Sequence, residues 1–114
     1  MLKKNIKEVE EEIVTKAGST KTTIKWLITE NDGPTHFATR RFEIQPGGKV
    51  GLHKHPEEHH VYVLNGEAEF FNGDGVKFIG KKDEVIYIPP NELHGIRNTF
   101  EETFVFICVI PYLK

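Results

Sequence analysis

The chain has 114 residues, 15 Lys and Arg against 17 Asp and Glu, and a net charge of −2. That is the size of one domain, able to bury about two-thirds of its unfolded surface, with no electrostatic ground for binding nucleic acid or an anionic membrane. Cys108 is the only cysteine, which excludes an internal disulfide and points to a cytoplasmic protein, and the charged first turn lacks the apolar run of a signal peptide or membrane anchor.

Taken in chain order, Glu10, Glu11 and Glu12 read as solvated surface. Residues 9–17 carry the only helical claim, a weak one in so short and polar a segment. Residues 22–29 are β-branched and aromatic and end at a turn of Asn31, Asp32, Gly33 and Pro34. Residues 37–44 alternate, with Ala38, Phe42 and Ile44 on one face and Thr39, Arg41 and Glu43 on the other; the strand is predicted to stop at Pro46, Gly47 and Gly48. Residues 61–64 and 67–71 flank Asn65-Gly66, a strong hairpin signal. A second turn at residues 72–75 leads to a strand over 76–79, followed by strands over 84–88 and 103–110. Many short strands with tight turns point to an antiparallel sandwich or barrel.

The residues that carry chemistry are histidines. His53, His55 and His59 lie within seven residues of one another, and His94 follows Pro89 and Pro90 on a later segment. Neutral imidazole is the commonest metal-ligating side chain. A His-x-His pair on an extended segment puts both rings on one face, and His59 shares their parity. The pattern predicts four imidazoles converging on one divalent metal. A structural metal would call for a thiolate-rich tetrahedron, and one cysteine cannot build it.

These residues resemble the cupin family. Gly47, His53, His55 and Gly66 fit the spacing of the first cupin motif, and His59 stands where that motif has a glutamate. Pro89, His94 and Asn98 fit the second, in which Asp83 and Asn91 replace two glycines; both are turn formers that tolerate positive φ. The resemblance covers residues 37–111 and implies an all-β, single-domain cupin β-barrel (a double-stranded β-helix or jelly roll) of antiparallel strands. The chain resembles the small single-domain cupins with four histidines, several of which carry manganese, which implies a metal held by His53, His55, His59 and His94, with manganese first and iron second. Imidazole ligation by itself also permits zinc, nickel or copper. Glu58 remains an alternative to His59 if the turn at Pro56 breaks the alternation.

Four neutral ligands leave the charge of the ion uncompensated, which favours the divalent state and acidifies bound water. They also leave two adjacent positions open on a six-coordinate ion. Arg40 shares the apolar face of its strand, and its guanidinium could hold a substrate carboxylate or enolate. A solvent-reaching strand-end arginine is the alternative. Phe106 and Cys108 share the inner face of the last strand and are expected to control access, although a small buried hydrophobe is the commoner role for such a thiol. His36 and His60 read as surface residues, and Glu57 and Glu58 are expected to point outward.

The expected function is a metalloenzyme acting on a small organic substrate by dioxygenase-like oxidation, with dioxygen as co-substrate. A metal-dependent isomerase or lyase and a non-catalytic small-molecule binding module are the alternatives, since fold does not fix function. The apolar strand at 22–29 is expected to need cover, which predicts a homodimer.

Overall fold

Gly66, at φ 77°, closes the hairpin predicted at Asn65. A Cβ there would lie 2.7 Å from the carbonyl oxygen of Thr103, so the turn needs both the left-handed backbone and the missing side chain. Similar local rules cut the rest of the chain into short strands. The computed structural model describes residues 1–34 and 36–113. Its strands are β1 (Glu11–Ile13), β2 (Thr20–Ile28), β3 (Phe37–His53), β4 (His59–Asn65), β5 (Glu67–Asn72), β6 (Gly75–Lys81), β7 (Val85–Ile88), β8 (His94–Arg97) and β9 (Phe104–Pro111). Short 3-10 turns occur at Ile6–Glu8, Lys16–Gly18 and Glu30–Asp32. Among the described residues no helix is long and apolar enough to cross a membrane.

Every strand pairing is antiparallel, and the order β6-β5-β8-β3-β9-β4-β7 curls into a nearly closed barrel. β3 organises it. Its first half, Phe37 to Ile44, pairs with β9 on one side and, from Thr39, with β2 on the other; its second half, Lys49 to His53, pairs with β8. The expected stop at Pro46 is therefore corrected: the strand bends there and runs on to His53. Gly47, at φ 84°, makes the bend, and its N–H donates to the Asn98 carbonyl at 2.8 Å while the Asn98 N–H donates back to Gly48 at 2.9 Å. New backbone partners replace the lost ones, so the strand continues. The buried Asn98 side chain ties this bend to the β8–β9 loop, donating to the carbonyls of Ile44 and Glu102 and accepting from the Phe100 N–H.

Two further expectations change. Residues 9–17 are not helical over most of their length: Glu11–Ile13 is a strand on β2, and only Lys16 and Ala17 enter a 3-10 turn. Three consecutive glutamates with no buried face had nothing to pack a helix against. The segment 22–29 is likewise not an open edge, because β1 covers one side of β2 and β3 the other. Asp83 and Asn91, the two replacements for motif glycines, do adopt φ of 69° and 62°.

The interior follows the alternation. Ala38, Phe42 and Ile44 of β3 and Phe104, Phe106 and Cys108 of β9 are buried. Phe42 stacks on Phe106 with centroids 4.9 Å apart and planes 9° from parallel, and Phe104 packs 5.4 Å from Phe106. This aromatic wall fills one side of the barrel and leaves the other to a cavity.

Candidate metal centre

The bend in β3 carries the strand far enough to deliver His53 at its last position, opposite His94 at the first position of β8. His55 lies in the connection to β4, and His59 opens that strand. Ring centroids are 4.5 Å apart for His53 and His94, 5.2 Å for His53 and His55, 5.1 Å for His55 and His94, 4.4 Å for His55 and His59, and 5.4 Å for His59 and His94. Ligand nitrogens of His53, His55 and His94 all lie within 4.8 Å of one another. His59 joins from one side, its Nε2 2.8 Å from Nε2 of His55.

Neighbours orient the rings. His53 Nδ1 is 2.7 Å from the Gly51 carbonyl and His94 Nδ1 is 2.8 Å from the Glu92 carbonyl. A carbonyl only accepts, so both Nδ1 atoms carry the proton and both Nε2 lone pairs face the cluster. His55 Nδ1 has only the Glu57 carboxylate, 3.4 Å away, and makes no hydrogen bond. The outward placement expected for Glu57 is thus corrected, since it lines the cavity; the Pro56 turn interrupts the strand alternation. Glu58 lies instead 3.6 Å from His60 on the exposed side. His36 and His60 are exposed and stand apart from the cluster.

His59 is oriented differently. Its Nδ1 faces the Arg40 guanidinium at 3.2 Å and the Cys108 sulfur at 3.3 Å, and Arg40 also donates to that sulfur at 3.0 Å. Arg40 is held over the rings of Trp26 and Phe42, 5.4 and 4.9 Å from their centroids. It is therefore packed into the site rather than reaching solvent from a strand end.

Burial keeps the cluster neutral. It pushes His59 down to about 2, helped by the charge of Arg40 and by the neighbouring rings, and His94 down to about 4, with the other histidines and Lys16 adding to the effect. His53 and His55 are lowered by the same desolvation. Burial raises the Cys108 thiol, with Arg40 pulling against it.

The donor set fits a cation. A guanidinium only donates, so His59 Nδ1 accepts and its Nε2 carries a proton toward the His55 Nε2 lone pair 2.8 Å away, the position that a metal would take over. With metal–nitrogen bonds of about 2.1 Å, that separation corresponds to an angle of about 84°, near the right angle between neighbouring octahedral positions rather than the tetrahedral value. The cluster forms one end of a cavity of about 670 Å³, whose walls are mostly apolar and include Ile24, Trp26, Phe42, Val61, Ile88 and Phe106. Sequence reasoning missed Trp26, Lys16 and Tyr112 as lining residues. The Trp26 signal was present, because it alternates with the buried Ile24 on β2.

The profile of the Cupin domain family matches residues 40–110, a span that contains all four histidines. The chain is 39% identical over 75 residues to the oxalate-binding protein of Thermotoga maritima, a match covering 64% of this chain and 60% of that protein. It is 31% identical over 71 residues to the 1-methylthio-D-xylulose 5-phosphate methylsulfurylase of Rhodospirillum rubrum, covering 62% of this chain and 45% of that protein. The matches thus span only about half of the length of these relatives. Among solved structures, the polyketide cyclase RemF from Streptomyces resistomycificus superposes with a TM-score of 0.90 at 33% identity, covering 97% of this chain and 79% of that chain. The chain belongs to the Cupin domain family.

Proposed function

We propose that this cupin is a metalloenzyme that binds a bulky, oxygen-chelating organic substrate, an enol or polycarbonyl compound, and activates it for a non-redox rearrangement or ring closure. The observation that carries this reading is the cavity: about 670 Å³ of mostly apolar space ends on the histidine cluster. A space of that size suits a ring system better than a two-carbon diacid. The likeness to a polyketide cyclase over 97% of the chain supports the same substrate class.

His53, His55, His59 and His94 would hold one divalent ion, with manganese first and iron second. When bound, such an ion supplies a Lewis acid that polarises a carbonyl or enol oxygen. The chain's own residues do the rest. The carbonyls of Gly51 and Glu92 lock two ring tautomers. Arg40 holds the His59 ring and brings a fixed positive charge toward developing enolate character. Phe106, against Phe42, keeps water off one wall, and Cys108 sets the position of Arg40 by accepting from it. The buried, unpaired thiol supports a cytoplasmic setting.

The second reading, dioxygenase-like oxidation, is favoured by the all-imidazole donor set, which stabilises the divalent state and leaves neighbouring positions for substrate and dioxygen. Turnover of a 1,3-diketone or naphthol-type enol with and without dioxygen separates the two. Equal rates under dinitrogen are expected, and strict oxygen dependence would favour the dioxygenase-like reading instead. In the same assay His59→Ala should lose most of its metal by elemental analysis. Retention of both metal and activity would remove His59 from the site.

The protein is also proposed to form a homodimer. The outer faces of β4, β7 and β9 form an apolar groove with Tyr62, Val85, Tyr87, Ile107 and Val109 in its lining, and a monomer mass in sedentation-equilibrium or light-scattering measurement at micromolar concentration would refute it.

A further inference from the structure

Lys16 stands at the lip of the cavity on a turn that the fold secures firmly. Ala17, at φ 56° and ψ 32°, and Gly18, at φ 73°, are both left-handed, a conformation that an alanine adopts only against strain. Ser19 fixes the turn from inside, donating to the Lys16 carbonyl at 2.6 Å and accepting from the Gly51 N–H at 3.1 Å. The Ala17 carbonyl sits where a side chain at position 51 would be, with a Cβ there only 1.7 Å from its oxygen. Lys16 is thereby anchored to β3 two residues before His53.

Its side chain lines the cavity, and its charge bears on His53, His55 and His94. Among the described residues two cations line this space, Lys16 and Arg40. Arg40 is committed to Cys108 and His59. Among the described residues no carboxylate lies within ion-pair distance of the Lys16 ammonium. Lys16 thus brings an ammonium with free donors to the cavity, beside the buried Arg40 Nε, which also has no partner.

We propose that Lys16 is a specificity-determining residue that pairs with an anionic group, a carboxylate, carried by the substrate in addition to its chelating oxygens. The inference rests on the reading of the site as a metal centre for bulky chelating substrates and adds a chemical class to it: an apolar ring system that carries a chelating oxygen pair and an acid. Lys16 then selects acids over neutral analogues and draws them to the mouth.

Calorimetric titration of the manganese-loaded full chain under dinitrogen tests this with two probes that share a chelating diol, 6,7-dihydroxy-2-naphthoate and neutral 2,3-dihydroxynaphthalene. The wild type is expected to bind the acid at least fivefold more tightly than the neutral diol. Lys16→Met should bring that ratio to about one without changing affinity for the neutral diol, Lys16→Arg should retain it, and Lys16→Glu should invert it. An unchanged ratio in Lys16→Met, or equal binding of both probes by the wild type, overturns the role of Lys16 and leaves the metal reading standing. Binding of neither probe by the wild type overturns the metal reading, and the Lys16 inference with it.

Discussion

Replacing His94 with alanine is expected to weaken metal binding by about 100-fold or more, because loss of a mere outer-shell partner already costs 10- to 100-fold. His94 is central to the cluster: its ring lies 4.5 to 5.4 Å from each of the other three, and its orientation is set by the Glu92 carbonyl. No other histidine can substitute, since His36 and His60 are exposed on other faces. Elemental analysis after dialysis should show a metal content near one ion per chain in the wild type and little in the variant, with His60→Ala unchanged. Full occupancy in His94→Ala would refute the assignment. The pH dependence carries the same signature. Protons compete with metal for imidazole, but burial pushes His94 down to about 4, so competition at this ring starts well below the ordinary histidine range of about 6.5. Wild-type occupancy should therefore stay flat from pH 8 to about 6, whereas a solvated histidine cluster would already be losing its ion.

The second large effect is expected from Gly51→Ala. The added Cβ would lie 1.7 Å from the Ala17 oxygen and 2.8 Å from its carbonyl carbon. These are backbone atoms, so no side-chain rotation relieves the clash. Either β3 or the Lys16–Gly18 turn must move, at the cost of the bond from the Gly51 N–H to Ser19. Overpacking of this kind destabilises by about 3 kcal/mol, a fall in Tm of roughly 10–20 °C for a domain of this size. The same shift displaces the Gly51 carbonyl that orients His53, so metal affinity should fall together with stability. Gly73→Ala is the control, because a Cβ there meets nothing within 4 Å. Equal melting temperatures for the two variants would show that the turn yields freely and that its contact with β3 fixes nothing.

Legibility differed from residue to residue. The Asn65-Gly66 hairpin and the inward face of Ala38, Phe42 and Ile44 were readable because each depends on local geometry or a period of two. Asp83 and Asn91 were readable as positive-φ turns for the same reason. Parity failed wherever the chain left the extended state. Beyond Pro56 it pointed Glu57 outward, yet Glu57 lines the cavity. It also could not show that β3 survives its proline and glycines, because the replacement hydrogen bonds come from Asn98, fifty residues away.

By itself the sequence determined the strand-rich fold class, the inner faces of β3 and β9, and the histidine spacing of the two cupin motifs, all of which depend on short-range sterics and residue period. Only the tertiary structure decided what surrounds those histidines. The pairing of His53 with His94, the Arg40–Cys108–His59 contact and the arrival of Lys16 at the cavity mouth join segments between 19 and 68 residues apart. Such contacts are selected by the packing of the whole barrel, and no local period encodes them.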